Sequence, residues 1–241
     1  MPGSHYIALS GLRARVDELD RLAADIANVG TVGYKSTRDA RAAAERDAFG
    51  AALETAIDTT HGGRRLDTTA GALAQTGRAL DLAVDGGGFF VISTPAGERY
   101  SRDGSFSIGA DRQLVNRAGN AVQGVGGSPI TIDEDGEIKV DADGTVWAGT
   151  TKAGQVAIVD FADRGGLVNE HGSLLRADGQ TATPVAHPVV RSGSLEQSNV
   201  SMADRMASLT SVSRGFEALQ KALSLMMNDV DGRAIDHLGR R

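Results

Sequence analysis

Two stretches, one near each end of the chain, carry apolar residues at alternating three- and four-residue steps. In the first they are Leu9, Leu12, Val16, Leu19, Ala23 and Ile26. In the second they are Met202, Met206, Leu209, Val212, Phe216, Leu219, Leu223, Met226 and Val230, with one three-three step at Val212. This rhythm is the seam of a coiled coil, because 3.5 residues is close to one helical turn. The first helix is expected from about Ser4 to about Val29, roughly 39 Å long, and the second from after Val200 to about Asp231, roughly 46 Å. Ser201 with Asp204 three residues on has the form of a capping box. Stripes of two to three heptads are too short to hold isolated helices in water, since nucleation is costly. Order must come from covering them, either by each other or by other chains. Apolar helices at both termini therefore point to an assembling protein rather than a free enzyme.

Between the helices the pattern changes to short strand-like runs separated by glycine. Leu80–Val84, Phe89–Ile92, Ser105–Ile108, Pro129–Ile132, Glu137–Val140, Thr145–Trp147 and Gln155–Phe161 form the series. Asp85-Gly86, Asp103-Gly104, Asp135-Gly136 and Asp143-Gly144 are expected to turn hairpins of type I′, where glycine tolerates positive φ. The expected fold is a mainly β central domain, a meander of short strands, with N- and C-terminal α-helices that pair as a coiled coil. Its expected divisions are 1–35 for the first helix and the short segment after it, 36–65 for an Ala-rich charged connector, 66–193 for the all-β domain, and 194–241 for the second helix and tail. His61-Gly62-Gly63 reads as a hinge in the connector.

Composition narrows the function. The net charge of −6 and the lack of a long basic run argue against sequence-independent nucleic-acid binding. No apolar run approaches the ~18 residues that span a bilayer. The first residues lack a basic segment followed by an apolar one, so no classical signal peptide is expected. The chain has no cysteine, which excludes disulfides, thiolate catalysis and cysteine-bound metals, and suits transit across a membrane unfolded.

None of the candidate motifs has the pattern that chemistry would need. His5, His61, His171, His187 and His237 are scattered, without ligand spacing. Gly86-Gly87-Gly88 runs into an aromatic β stretch rather than the helix N-terminus that a phosphate cradle needs. The acidic run Asp133 to Asp143 places Gly136 too early for a calcium loop, and two successive hairpin turns account for it. There is no nucleophile elbow. No catalytic residue, cofactor, metal or small-molecule substrate is expected.

Three separated segments resemble the flagellar rod and hook axial proteins. The first is Leu22 to Lys35, ending Asn28-Val29-Gly30-Thr31-Val32-Gly33-Tyr34-Lys35; it differs from the usual pattern by Asp25 where asparagine is common. The second is Gly88-Phe89-Phe90 with Tyr100-Ser101-Arg102-Asp103-Gly104-Ser105-Phe106, then Leu114-Val115 and Gly119. The third is Gly193 to Val200, with Ser198-Asn199-Val200, then Arg214 to Glu217. The resemblance implies paired terminal helices in the inner tube of a filament and a β domain outside it. It implies other rod proteins as partners and signal-less passage through the flagellar type III export apparatus to the periplasmic part of the basal body. The central segment argues against the smallest rod proteins, and the length is short for a hook subunit. Between a proximal and a distal rod subunit, the short β block and the charged tail resemble the proximal kind more.

On the residues alone, Arg102 and Asp103 are expected to stabilise a turn, with a contact surface as the alternative, and Gly33 is expected to need positive φ. The rival class is a β-domain adhesin with a helical stalk.

Overall fold

The structure, a computed structural model, describes residues 2–39, 64–134 and 136–238. The expected Ala-rich connector and its His61-Gly62-Gly63 hinge fall mostly outside them. Two helices bracket the chain, α1 (Pro2–Ala27) and α2 (Met202–Leu238). Between them lie β1 (Thr37–Asp39), β2 (Arg64–Leu66), β3 (Leu73–Gln75), β4 (Leu82–Asp85), β5 (Phe89–Thr94), β6 (Gly97–Ser101), β7 (Ser107–Ile108), β8 (Leu114–Val115) and β9 (Ala121–Val122). They continue with β10 (Ile138–Val140), β11 (Thr145–Ala148), β12 (Thr151–Gln155), β13 (Ile158–Asp160), β14 (Leu167–His171), β15 (Leu174–Ala177), β16 (Thr183–Pro184), β17 (Val189–Ser192) and β18 (Ser194–Glu196). The protein is thus mainly β with a helix at either end. Helix α2 extends past Asp231 and through Gly232, beyond the stop expected there.

The chain forms two compact units. One contains α1 and α2, with its boundaries at Ala27 and Ser201. The other runs from Asn28 to Val200 apart from a few residues outside the described set. Residues 28–35 and 194–200, which flank the helices in sequence, therefore fold with the β unit.

The β unit is organised around β5. This strand pairs antiparallel with β6, with β9 and with β13, inside a nine-stranded sheet whose main path is β14-β15-β6-β5-β9-β8-β7. Successive side chains of a strand point to opposite faces. Phe90 and Ile92 enter one apolar cluster with Leu82, Phe106, Leu114 and Val122, while Phe89 and Val91 enter a second with Tyr100, Phe161, Leu167 and Leu175. A strand covered on both faces reads as an unbroken apolar run, which is why Phe89-Phe90-Val91-Ile92 shows no alternation. Phe90 meets Phe106 edge-on at 5.1 Å between centroids, and Tyr100 meets Phe161 at 4.7 Å. These are favourable T-shaped contacts.

Of the three Asp-Gly pairs that lie among the described residues, one turns a hairpin; Asp135 of the fourth pair, Asp135-Gly136, lies outside them. Asp143-Gly144 joins β10 to β11, with Gly144 at φ +84 and its amide donating to the Asp141 carbonyl at 3.0 Å. Asp143 itself lacks positive φ, so the turn is not type I′. Asp85-Gly86 leads from β4, which pairs with β17, into β5. Gly104 instead serves close packing: a Cβ there would lie 1.8 Å from the Leu82 carbonyl oxygen.

The helical unit pairs α1 with α2. Ser201 caps α2, its hydroxyl accepting from the Asp204 amide at 3.5 Å, which is the serine half of the expected capping box. Asp25 is fully buried and takes Arg205 of the other helix at 3.1 Å. The burial differs in detail from the expected stripe. Leu22, which lies off it, is buried, as is Val212, which lies on it. Leu12, Leu19, Ile26, Leu209 and Phe216 are half-buried, whereas Val16, Ala23, Met206 and Leu219 are exposed. The side chains of Leu9, Leu223 and Met226 lie outside the described residues.

Candidate functional site: a buried junction at the helix stems

Three segments that are far apart in sequence meet at one carboxylate. Glu196 ends β18, which pairs with β3 as Glu196 opposite Leu73. Its side chain is 1% exposed. Oε1 accepts from Lys35 Nζ at 2.5 Å and from the Gly71 amide at 3.0 Å. Oε2 accepts from Arg102 Nη1 at 3.2 Å. Lys35 also donates to the Thr69 carbonyl at 2.7 Å, and Arg102 to the carbonyls of Val84 at 3.1 Å and Gly86 at 2.6 Å. The Arg102 guanidinium lies 5.3 Å from the centre of the Phe89 ring, within cation–π range.

A buried charge is tolerated only when it is paired and hydrogen-bonded. Here one anion serves two cations, and backbone carbonyls take much of what is left. Burial pushes the Lys35 ammonium below the usual lysine range, with Glu196 opposing that shift. Burial also lowers Arg102, again against Glu196. Both effects reflect how far the cluster is removed from water.

The segment that carries Lys35 is held by its backbone. Two tight turns lead into it, Thr31 N to Asn28 O at 3.1 Å and Tyr34 N to Thr31 O at 3.2 Å. The Thr31 hydroxyl also donates to Asn28 Oδ1 at 3.1 Å. Gly33 has φ +68, so the expected left-handed backbone is present. A Cβ there would lie 2.2 Å from the Asp103 amide nitrogen, so Gly33 also lets two backbones touch. Its amide donates to the Glu196 carbonyl at 2.8 Å.

Asn199 closes the arrangement from the other stem. Its Oδ1 accepts from the Ser36 amide at 2.9 Å, and its Nδ2 donates to the Asp67 carbonyl at 2.9 Å. Its own amide reaches the Tyr34 carbonyl at 3.4 Å. Ser198 turns its hydroxyl back to accept from the Val200 amide at 3.2 Å. Tyr34 and Val200 are buried.

Of the singled-out signature residues, Gly33, Tyr34, Arg102 and Asn199 come together here. Asp103 makes a local turn, its Oδ1 accepting from the Ser105 amide at 2.9 Å, in keeping with the turn reading. Arg102 does not share that turn; it is drawn into the Glu196 cluster. Sequence reasoning alone misses Lys35 and Glu196 as candidate residues. A signal for them exists, since each is a long charged residue inside a signature segment.

The other motifs have structural occupations. Asp141 Oδ2 accepts from the Trp147 indole at 2.7 Å, and Asp143 from the Thr145 amide and hydroxyl, each at 2.9 Å. Gly86 supplies a carbonyl to Arg102. Among the described residues no group of three or more metal-ligating side chains occurs. Among them, too, no helix is long and apolar enough to cross a membrane.

Comparison with known proteins places the chain in a family. Residues 83–148, which include Arg102, match the domain described as "Flagellar hook protein FlgE/F/G D1 domain". Residues 191–232, which include Glu196 and Asn199, match "Flagellar basal body rod FlgEFG protein C-terminal". The flagellar basal-body rod protein FlgF of Caulobacter vibrioides is 32% identical, with 100% of this chain and 99% of that protein covered. FlgF of Rhizobium meliloti is 32% identical over 97% of both chains. FlgG of Bacillus subtilis is 32% identical, covering 92% of this chain and 94% of that protein. Likeness along the whole length shows that the chain belongs to the flagellar basal-body rod proteins and is a structural subunit of the rod.

Proposed function

We propose that this subunit takes a proximal, FlgF-type place in the rod and is built into it through its terminal helices, paired as a coiled coil. The observation that carries the reading is the apolar surface left over after α1 and α2 have paired. Val16 is 42% exposed, Met202 45%, Met206 47% and Leu219 38%, and all four lie on the stripes read from the sequence. Each is already more than half covered, so burying the remainder contributes roughly 1 kcal/mol apiece, and a neighbour that covers several gains a firm hold. Flexible methionine suits packing against neighbours that are not identical. The partners in this reading are other rod subunits, proximal and distal.

Delivery through the flagellar type III export apparatus to the periplasmic rod completes the proposal. A chain without cysteine has nothing to crosslink on the way.

The test is Val16→Asp and Leu219→Asp, expressed in a strain lacking the native gene. Rod completion is expected to fail by electron microscopy of basal bodies, while the purified subunit keeps its Trp147 fluorescence and its melting temperature. Normal motility from both variants would remove the stripes from assembly. Restoration of motility in a strain lacking its distal rod gene, but not in one lacking its proximal gene, would move the subunit to the distal place.

A further inference from the structure

The ends of α1 and α2 that adjoin the β unit, Ala27 and Met202, are about 175 residues apart in sequence. Closing a loop of that length before two helices meet carries a large entropic cost, which grows with the logarithm of loop length. The junction shortens the loop. Gly33 donates to the Glu196 carbonyl at 2.8 Å, Lys35 binds the Glu196 carboxylate, and Ser36 binds Asn199. Each stem is therefore fastened to the other about six residues from its helix. The free tether between Ala27 and Met202 is then about a dozen residues rather than about 175.

We propose that the Glu196 junction is a conformational device that makes the helix pair an effectively local element, so that α1 and α2 find each other through the folded β unit. The residues of the junction all belong to the β unit and none to the helical one. Effective concentration falls roughly as the −3/2 power of tether length. Reducing the tether from about 175 to about a dozen residues raises the helices' effective concentration by roughly 50-fold. The inference concerns pairing inside one chain and does not depend on the place of the subunit in the rod.

The test uses the full-length chain with flexible Gly-Ser segments of 12 and 36 residues inserted between Ala27 and Asn28. That site leaves the Asn28–Thr31 turn and every junction contact intact. Protection of α1 and α2 amides is read by hydrogen exchange with mass spectrometry, with β5 amides as the internal control. If the junction sets the tether, helix protection falls about threefold and about eightfold, while β5 is unchanged. If the whole intervening chain sets it, 36 extra residues change protection by only about 1.3-fold, and that result overturns the proposal. Absence of protected helix amides in the parent, or equal loss in β5 and the helices, overturns it as well.

Discussion

Replacing Glu196 by alanine is the most severe single change this structure identifies outside its aromatic core. The carboxylate is the shared partner of Lys35 and Arg102, whose side chains are 2% and 7% exposed. Truncation strands both cations close together and also releases the Gly71 amide. Removing one partner of a buried pair typically costs 3–5 kcal/mol, because the remaining charge is uncompensated. Lys35 keeps the Thr69 carbonyl, and Arg102 keeps Val84, Gly86 and the Phe89 ring, which offsets part of that. The expected loss is about 4 kcal/mol, a large share of the roughly 5–15 kcal/mol that holds a domain together. For a unit of this size it corresponds to a melting temperature lower by roughly 8–16 °C. Glu196→Gln keeps an acceptor for Lys35 and Gly71 and is expected to cost about half as much. Trp147 is the single tryptophan and lies in β11, so its fluorescence in urea reports on the β unit alone. Pairing Lys35→Met with Glu196→Gln is expected to cost less than the sum of the single changes by at least ~0.5 kcal/mol, since the two residues are in contact. A Glu196→Ala variant within about 1 kcal/mol of the parent refutes the junction as described.

Three other outcomes rest on the same geometry. Gly33→Ala forces a side chain into left-handed backbone and against the Asp103 amide, and is expected to destabilise the β unit by more than about 2 kcal/mol in urea unfolding, whereas Gly30→Ala, with open space around it, is expected to change little. Phe90→Ala empties the centre of the larger cluster beside Phe106 and is expected to cost roughly 3–5 kcal/mol by the same assay. Acid is expected to weaken the β unit only below about pH 5, as measured by the melting temperature across a pH series. Arg164 lowers the Asp160 carboxyl from its ordinary value of 3.8, and the Thr145 amide and hydroxyl lower Asp143. Burial works against Asp67, but hydrogen bonds from Thr69 and Arg38 outweigh it and lower that carboxyl too. Groups lowered by folding stabilise above their unfolded pKa and lose that contribution as pH falls through the folded value, so the melting temperature should stay level from about pH 7 to about pH 5 and then fall.

The sequence by itself determined the two helices, the β block between them and the family. Each of these rests on local or periodic information: an apolar repeat near 3.6 residues, glycine between short strand formers, and contiguous signature residues. It also marked Gly33 and the Ser201 cap, since backbone conformation and capping are set within a few residues. Only the tertiary structure decided which face of α1 is buried, bringing in Leu22 and leaving Val16 exposed, because facing residues of a second helix set that rotation. It also decided that Asp103-Gly104 is a packing contact against Leu82 rather than a hairpin turn. Above all it placed Lys35 and Arg102 around the buried carboxylate of Glu196. Those residues lie 67 to 161 positions apart along the chain. Nothing in the linear order of charges says which of them will share an interior, because pairing across such distances is fixed only when the strands that carry them close the core.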